Sequence, residues 1–281
     1  MIDVDSDAFL REQNLGAVMQ KQLQIQWFGE IRHPSSVLKF SDCGFRAFSQ
    51  NEEDGLLLFI FSNIGTVSKS VLEVGCGAGV ESNSANLIIN HHWNGTIVDL
   101  KNTNTRRAES FYSKVKETKI WPPRIINQKV TAENINGIVK GAMVNGELDL
   151  LSIDVDGIDY WLWNSVTYCS PRVLVIETNH LWGSSASVTV PYSADFEPIF
   201  TEHGSDYAGA SIPALVKLGK TKGYTFVGAN RFATNAFFVR DDCMAGLLTE
   251  VDVESVFSHP RAKFGNEVRL LNVKHLEWQE V

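Results

Sequence analysis

The chain predicts an α/β fold: a seven-stranded, doubly wound, mostly parallel sheet that ends in a C-terminal antiparallel hairpin. Three observations carry that prediction. From residue 69 onward short apolar strands alternate with helices, the pattern of a parallel sheet covered on both faces. The first strand runs directly into a glycine-rich turn, Glu73-Val74-Gly75-Cys76-Gly77-Ala78-Gly79. Finally, only NRFAT (230–234) separates GYTFVGA (223–229) from NAFFVR (235–240). A parallel crossover needs about a dozen residues or more, so these two strands pair antiparallel.

The elements follow in order. Residues 7–31 read as a helix, with apolar positions at Phe9, Leu15, Val18, Met19, Leu23 and Trp27. A second helix covers about 50–63, with Ser49 as its N-cap and acidic residues in its first turn. Strands are then expected at 69–75, 95–100, 124–130, 147–154 and 172–178, with helices at 82–91, 104–118, 132–142 and 158–167 between them. A helix at 211–222, capped by Ser211, leads into the hairpin. There is no internal repeat, low-complexity tract or flexible linker.

Composition narrows the function. The chain has 281 residues, 44% hydrophobic and 21% charged, which is ordinary for a folded domain and excludes collagen, coiled coil and disorder. Lys and Arg number 25 against 33 Asp and Glu, a net charge of −8, so neither nucleic acid nor an anionic membrane is an expected partner. The four cysteines, Cys43, Cys76, Cys169 and Cys243, form no CxxC pair and read as reduced thiols. The first residues, MIDVDSDAFLREQ, are acidic where a secretion signal is basic, and the longest apolar run, GLLLFIF (55–61), is far too short to span a bilayer. The expectation is a cytoplasmic protein.

Glycines after a first strand allow a tight turn and close approach of a ligand to the backbone. Glu73 sits just before the loop, and Asp99 ends the second strand, where an acid can take both hydroxyls of a ribose. Asp99 as a helix cap and the loop as a plain tight turn are the structural alternatives. A nicotinamide cofactor and S-adenosylmethionine both fit this much. The surroundings are acidic (Glu73, Glu81, Asp99), which suits a cationic sulfonium better than a pyrophosphate.

At this point the sequence resembles the class I S-adenosylmethionine-dependent methyltransferases, and more closely the FkbM-like group. The blocks that carry the resemblance are FSQNEEDG (48–55), LEVGCGAGVESNSANLI (72–88), NGTIVDL (94–100), DLLSIDVDGIDYWLW (149–163), VLVIETN (173–179), YAGASIPALVKLGKTKGYTFVGAN (207–230) and NAFFVR (235–240). It implies a Rossmann-like methyltransferase fold in which strand four lies between strands one and five. It also implies cofactor contacts at Glu73, Gly75, Gly77, Asn83 and Asp99, with Gln50 and Asp54 approaching from the N-terminal side. FkbM-like sequences carry Glu where this chain has Asp156. The implied division is an N-terminal helical extension (1–48), a methyltransferase domain (49–245) and a C-terminal extension (246–281).

A second acidic group lies further on. Asp154 and Asp156 are two apart at the end of the fourth strand, so an extended backbone would point them the same way. Glu177 and Asn179 end the fifth strand. If these strands are neighbours, the oxygens converge where open α/β sheets bind ligands. Asp154, Asp156 and Glu177 are therefore candidate ligands for Mg²⁺ or another divalent cation. The alternatives are a helix cap at Asp156, loop amides at Asp154 and an ion pair at Glu177. His180 directly follows this block and is the candidate general base, with Asp156 as its rival. The expected activity is transfer of a methyl group to a hydroxyl or carboxyl of a small molecule. A catalytically inactive binding protein and an NAD-linked enzyme are the rival readings. Trp27 and Phe28 read as core, as a cover for the site or as a contact with a second subunit, so a homo-oligomer is left open.

Overall fold

The computed structural model describes residues 6–33, 38–202 and 204–281, with side chains from Gly16 onward except at Gly204 and Ser205. The sheet contains β1 (Ser70–Val74), β2 (Asn94–Asp99), β3 (Arg124–Asn127), β4 (Leu150–Ile153), β5 (Val173–Glu177), β6 (Tyr224–Ala229) and β7 (Asn235–Arg240). Their spatial order is β3-β2-β1-β4-β5-β7-β6. The first five are parallel, whereas β7 runs antiparallel to both β5 and β6. The seven strands and the reversed hairpin are as the sequence predicts.

Eight helices are described: α1 (Ser6–Arg32), α2 (Glu53–Ile64), α3 (Ala85–His91), α4 (Asn102–Tyr112), α5 (Ile135–Ala142), α6 (Asp159–Ser165), α7 (Ile212–Lys222) and α8 (Pro260–Glu267). Alternation along each strand sends its side chains to two separate apolar layers. Leu72, Val74, Leu151, Ile153, Leu174 and Ile176 pack with α5, α6 and α7. Val71, Ile97, Leu150, Val173 and Val175 pack with α2, α3 and α4 on the other face. Trp27 of α1 is buried there against Phe59, ring centroids 5.3 Å apart, while Phe28 is exposed. No helix among the described residues is long and apolar enough to cross a membrane.

Several boundaries differ from the sequence reading, each for a local reason. The N-cap position of α2 is Glu52, not Ser49; Ser49 Oγ nevertheless accepts the first-turn Asp54 amide at 3.2 Å and donates to the Asp54 carboxylate. The helix expected from residue 82 begins at Ala85, because Ser82, Asn83 and Ser84 are bonded to Glu73. The helix expected over 104–118 is α4, which ends at Tyr112. Ser211 does cap α7, accepting from the Ala214 amide at 3.3 Å. The sequence reading did not include α8, the hairpin of Ile199–Thr201 with Gly204–Tyr207, or the pairing of Gln279–Glu280 with Val188–Thr189.

Candidate functional site

The carboxyl edge of β1, β2, β4 and β5 opens into a cleft of about 700 Å³, well within the range of a small-molecule site. Gln50, Glu73, Gly75, Gly77, Asn83, Asp99, Asp154, Asp156 and Glu177 all line it. Asp54 and His180 do not line it.

The glycine loop is built by its carboxylates. Glu73 is buried and accepts from the Asn83 amide (2.9 Å), the Ser84 amide (3.0 Å), the Ser82 hydroxyl (2.5 Å) and the Ser84 hydroxyl. It thereby ties the end of β1 to the start of α3. Asp99 accepts from the Gly77 amide at 2.9 Å, the Lys101 amide at 2.7 Å and Asn104 Nδ2 at 3.1 Å. One carboxylate thus fixes both the loop and the entry to α4. Asn83 Nδ2 donates to Ser152 Oγ at 3.1 Å, joining the loop to β4.

The glycines have different duties. Gly75 has φ +85°, and a Cβ there would lie 1.5 Å from the Asp154 carbonyl oxygen. Its missing side chain makes room for β4 rather than for a ligand. Gly77 has φ +55°, and a Cβ there would meet nothing within 4 Å, so this is where backbone faces open cleft. Asp54 is a correction to the expected cofactor contacts. Its Oδ2 accepts from the amides of Ala47, Phe48 and Ser49 and from Ser49 Oγ, at 2.6 to 2.9 Å. Burial nevertheless pushes this carboxyl up to about 6. Asp54 holds the bent segment that delivers Gln50 to the cleft and is not itself among the lining residues.

The other half of the cleft differs. Asp154 and Glu177, at the ends of β4 and β5, share a hydrogen bond, and burial raises both carboxyls well above the ordinary range. Neighbouring acids add to the rise: Asp159, Asp156 and Glu73 act on Asp154, and Asp154, Asp159 and Asp156 act on Glu177. Two carboxylates this close cannot both ionise easily, so the pair holds a proton between them. Asp156 does not join them as a third ligand. The strand ends at Ile153, and Asp156 lies in the left-handed region at φ +53°, so the alternation that would align it with Asp154 no longer applies. Asp159 is occupied by the amides of Val155 (2.8 Å) and Gly157 (2.9 Å). Among the described residues no three His, Cys, Asp or Glu side chains are placed to hold a metal ion. The expected Asp154, Asp156 and Glu177 metal centre is therefore not formed.

His180 is the second correction. It begins a short 3-10 turn, and its ring edge packs against Gly265 of α8, where an added Cβ would come within 2.9 Å of the ring. The residue is 6% exposed and its Nε2 has no partner. Burial, followed by the charges of Arg269 and Arg261, lowers it to about 4, with Asp206 opposing. His180 is thus buried under α8 and is not among the residues that line the cleft.

Sequence reasoning missed further lining residues. Leu100, Gln128, Lys129 and Val130 border the cleft beside β2 and β3, and Ala194, Phe196, Glu197, Pro198 and Phe200 cross its other side. Phe196 lies over Gly157, where a Cβ would come within 2.7 Å of its ring. Asn235, the first residue of β7, also lines the cleft. Its position opposite Glu177 follows from the register of β7 on β5, a long-range pairing that the hairpin loop in the sequence does not fix.

No family model matches the chain, and no curated protein matches it. Solved structures do align with it, and those that follow are S-adenosylmethionine-dependent methyltransferases. A glycopeptide N-methyltransferase complexed with S-adenosyl-L-homocysteine is 12% identical over 72% of this chain and 90% of its own, with a TM-score of 0.40. A methyltransferase from Clostridium acetobutylicum is 14% identical over 62% of this chain and 84% of its own, at 0.37. The magnesium protoporphyrin IX methyltransferase of Synechocystis is 12% identical over 61% of this chain and 69% of its own, at 0.36. The strand order and the cleft stand on their own geometry.

Proposed function

We propose that the chain is an S-adenosylmethionine-dependent methyltransferase that acts on a hydroxyl of a small molecule. The observation that carries the reading is the cradle at Gly77: half-buried backbone lining the cleft, an open Cβ position and Asp99 bonded to the same residue's amide. The residues fit the donor. Asp99 is placed for ribose hydroxyls, and Glu73, Asp99 and Asp154 give the cleft an acidic lining that favours a sulfonium. A pyrophosphate would find few cations there, since of the lining lysines Lys129 is already paired with Asp195 at 2.8 Å. When bound, S-adenosylmethionine supplies a methyl group already activated by positive charge.

The chain's own contribution is then to position the acceptor and to take its proton. Holding donor and acceptor in line supplies most of the acceleration. The Asp154–Glu177 pair replaces His180 as the proton acceptor, because its raised proton affinity suits a general base better than two fully ionised acids. A carboxylate acceptor is disfavoured, since it would have to approach Asp154, Asp156 and Glu177. The test is calorimetry with S-adenosylhomocysteine and with NAD, followed by a product search with labelled methyl donor. Micromolar S-adenosylhomocysteine binding with no NAD binding is expected. Binding of NAD alone would overturn the reading.

A further inference from the structure

We infer that the acceptor carries a protonated amine, held at the corner that Glu177 and Asn235 form beside Asp154; this rests on the methyltransferase reading of the cleft. The pairing of β5 with β7 sets Asn235 directly opposite Glu177. Asn235 is 5% exposed, and its amide orientation is fixed from behind. Asn235 Nδ2 donates to Glu53 Oε1 at 3.1 Å, and Glu53 also receives Asn230 Nδ2 at 2.6 Å and the Asn51 amide at 2.8 Å. Every group bonded to Glu53 is an N–H donor, so it takes the NH₂ side of that amide. The carbonyl side, Oδ1, is left buried and without a partner.

Glu177 repeats the pattern from the neighbouring strand. Its carboxyl shares a hydrogen bond with Asp154, another acid, and no amide or side-chain N–H or O–H is bonded to its buried Oε2. Asn235 Oδ1 therefore lacks a donor, and the residue paired with it across the strands, Glu177, together with Asp154, offers only carboxyl oxygens. Buried acceptors are rarely left without donors, so such a corner is completed by whatever binds there. None of the cleft-lining residues on this side, Asp154 to Ile158, Glu177, Ala194 to Phe200 or Asn235, is a lysine or arginine. A ligand here must bring donors and, to balance the acids, positive charge. An ammonium brings three N–H donors and one charge in a volume close to that of a methyl group. A diol brings donors but leaves the charge uncompensated.

The test compares two probes of one shape, trans-2-aminocyclohexanol and trans-1,2-cyclohexanediol, titrated near neutral pH into protein saturated with S-adenosylhomocysteine. The amine is expected to bind about tenfold more tightly than the diol, as charge-assisted hydrogen bonds exceed neutral ones. Glu177→Gln, which keeps the shape and removes the charge, is expected to shrink that preference to about twofold. Equal binding of the two probes by the wild-type protein overturns the inference, and this comparison needs no variant to fold. An amine preference unchanged in Glu177→Gln overturns it as well. So does competition between amine and S-adenosylhomocysteine, which would give the corner to the donor's own amino group. Failure of S-adenosylhomocysteine to bind is a separate outcome. It removes the methyltransferase reading, and the same amine–diol comparison on ligand-free protein then decides whether the corner selects a cation.

Discussion

The acids of the cleft fall into two groups that look alike in sequence and differ in what they touch. Glu73 and Asp99 beside β1 and β2 have their oxygens occupied by amides and side chains of the chain itself. Asp159 is spent on its own loop in the same way. On the other side, Asp154 and Glu177 lean on each other, no amide or hydroxyl donates to Glu177 Oε2, and Asn235 Oδ1 has no partner. The difference teaches that position at a sheet edge does not assign a carboxylate its task; its existing hydrogen bonds do. An acid with every site taken, like Glu73, holds a loop in shape, and one with a site left is available to a ligand; Asp99, with three donors on about four sites, does both. If this division is right, variants on the first side change folding and donor binding, and variants on the second change turnover.

The largest effect is expected at Gly75. With φ +85° and a Cβ position 1.5 Å from the Asp154 carbonyl, Gly75→Ala must push β1 and β4 apart at their ends. A loss above about 4 kcal/mol is expected, visible as loss of the cooperative thermal transition. Gly77→Ala is the contrast. Its space is open, so the cost is the left-handed backbone alone, about 1–2 kcal/mol. That variant should fold and lose affinity for S-adenosylhomocysteine. A well-folded Gly75→Ala protein would break the comparison at its strongest point.

How much of this was legible beforehand follows from the range of the interactions involved. The strand alternation, the Ser211 cap and the five-residue hairpin loop are local features, and each is found where the sequence places it. Strand β4 was expected between β1 and β5 on the strength of the family resemblance, and it lies there. His180 was misplaced because its surroundings come from α8, about eighty-five residues later in the chain (265 − 180). Asp156 was misread because the period-two rule was carried past the end of a strand into a turn with positive φ. Glu53 and Asp54 looked like ordinary first-turn acids of a helix. Their partners, Asn230 and Asn235 for Glu53 and three consecutive loop amides for Asp54, appear only when the tertiary fold is assembled.

The second prediction sharpens the other side of the cleft. Glu177→Gln should leave thermal stability within about 1 kcal/mol, since the amide fills the same volume and can donate to Asp154. S-adenosylhomocysteine affinity should be unchanged, because Asp99 and Gly77 lie across the cleft on the other strands. Turnover should fall about a hundredfold, the usual size of a lost proton acceptor. Activity is also expected to survive EDTA, because Asp156 and Asp159 do not converge on the Asp154–Glu177 pair. A fall in donor affinity without a fall in turnover would reverse the assignment of the two halves.

The smallest effect is expected at His180, and it lies in pH dependence rather than in catalysis. Burial against α8 lowers its folded value to about 4 from an ordinary 6.5. The unfolded chain therefore takes up a proton at a pH where the folded chain refuses it. Stability from the neutral ring is complete above about pH 6.5 and is lost progressively as pH falls toward 4, about 2 kcal/mol by pH 5. Asp54, Asp154 and Glu177 shift the opposite way, since their raised values let the folded state bind protons first and offset part of the loss. They are present in both proteins, so the difference between wild type and His180→Gln isolates the imidazole. That variant should lose about 1 kcal/mol at neutral pH through imperfect packing, and its stability should then decline less steeply than the parent's between pH 6.5 and 5. Denaturant titrations at a series of pH values measure this directly. Methyl transfer by the variant should match the parent at neutral pH; a large loss of turnover with the fold intact would return His180 to the reaction and require α8 to move away from it.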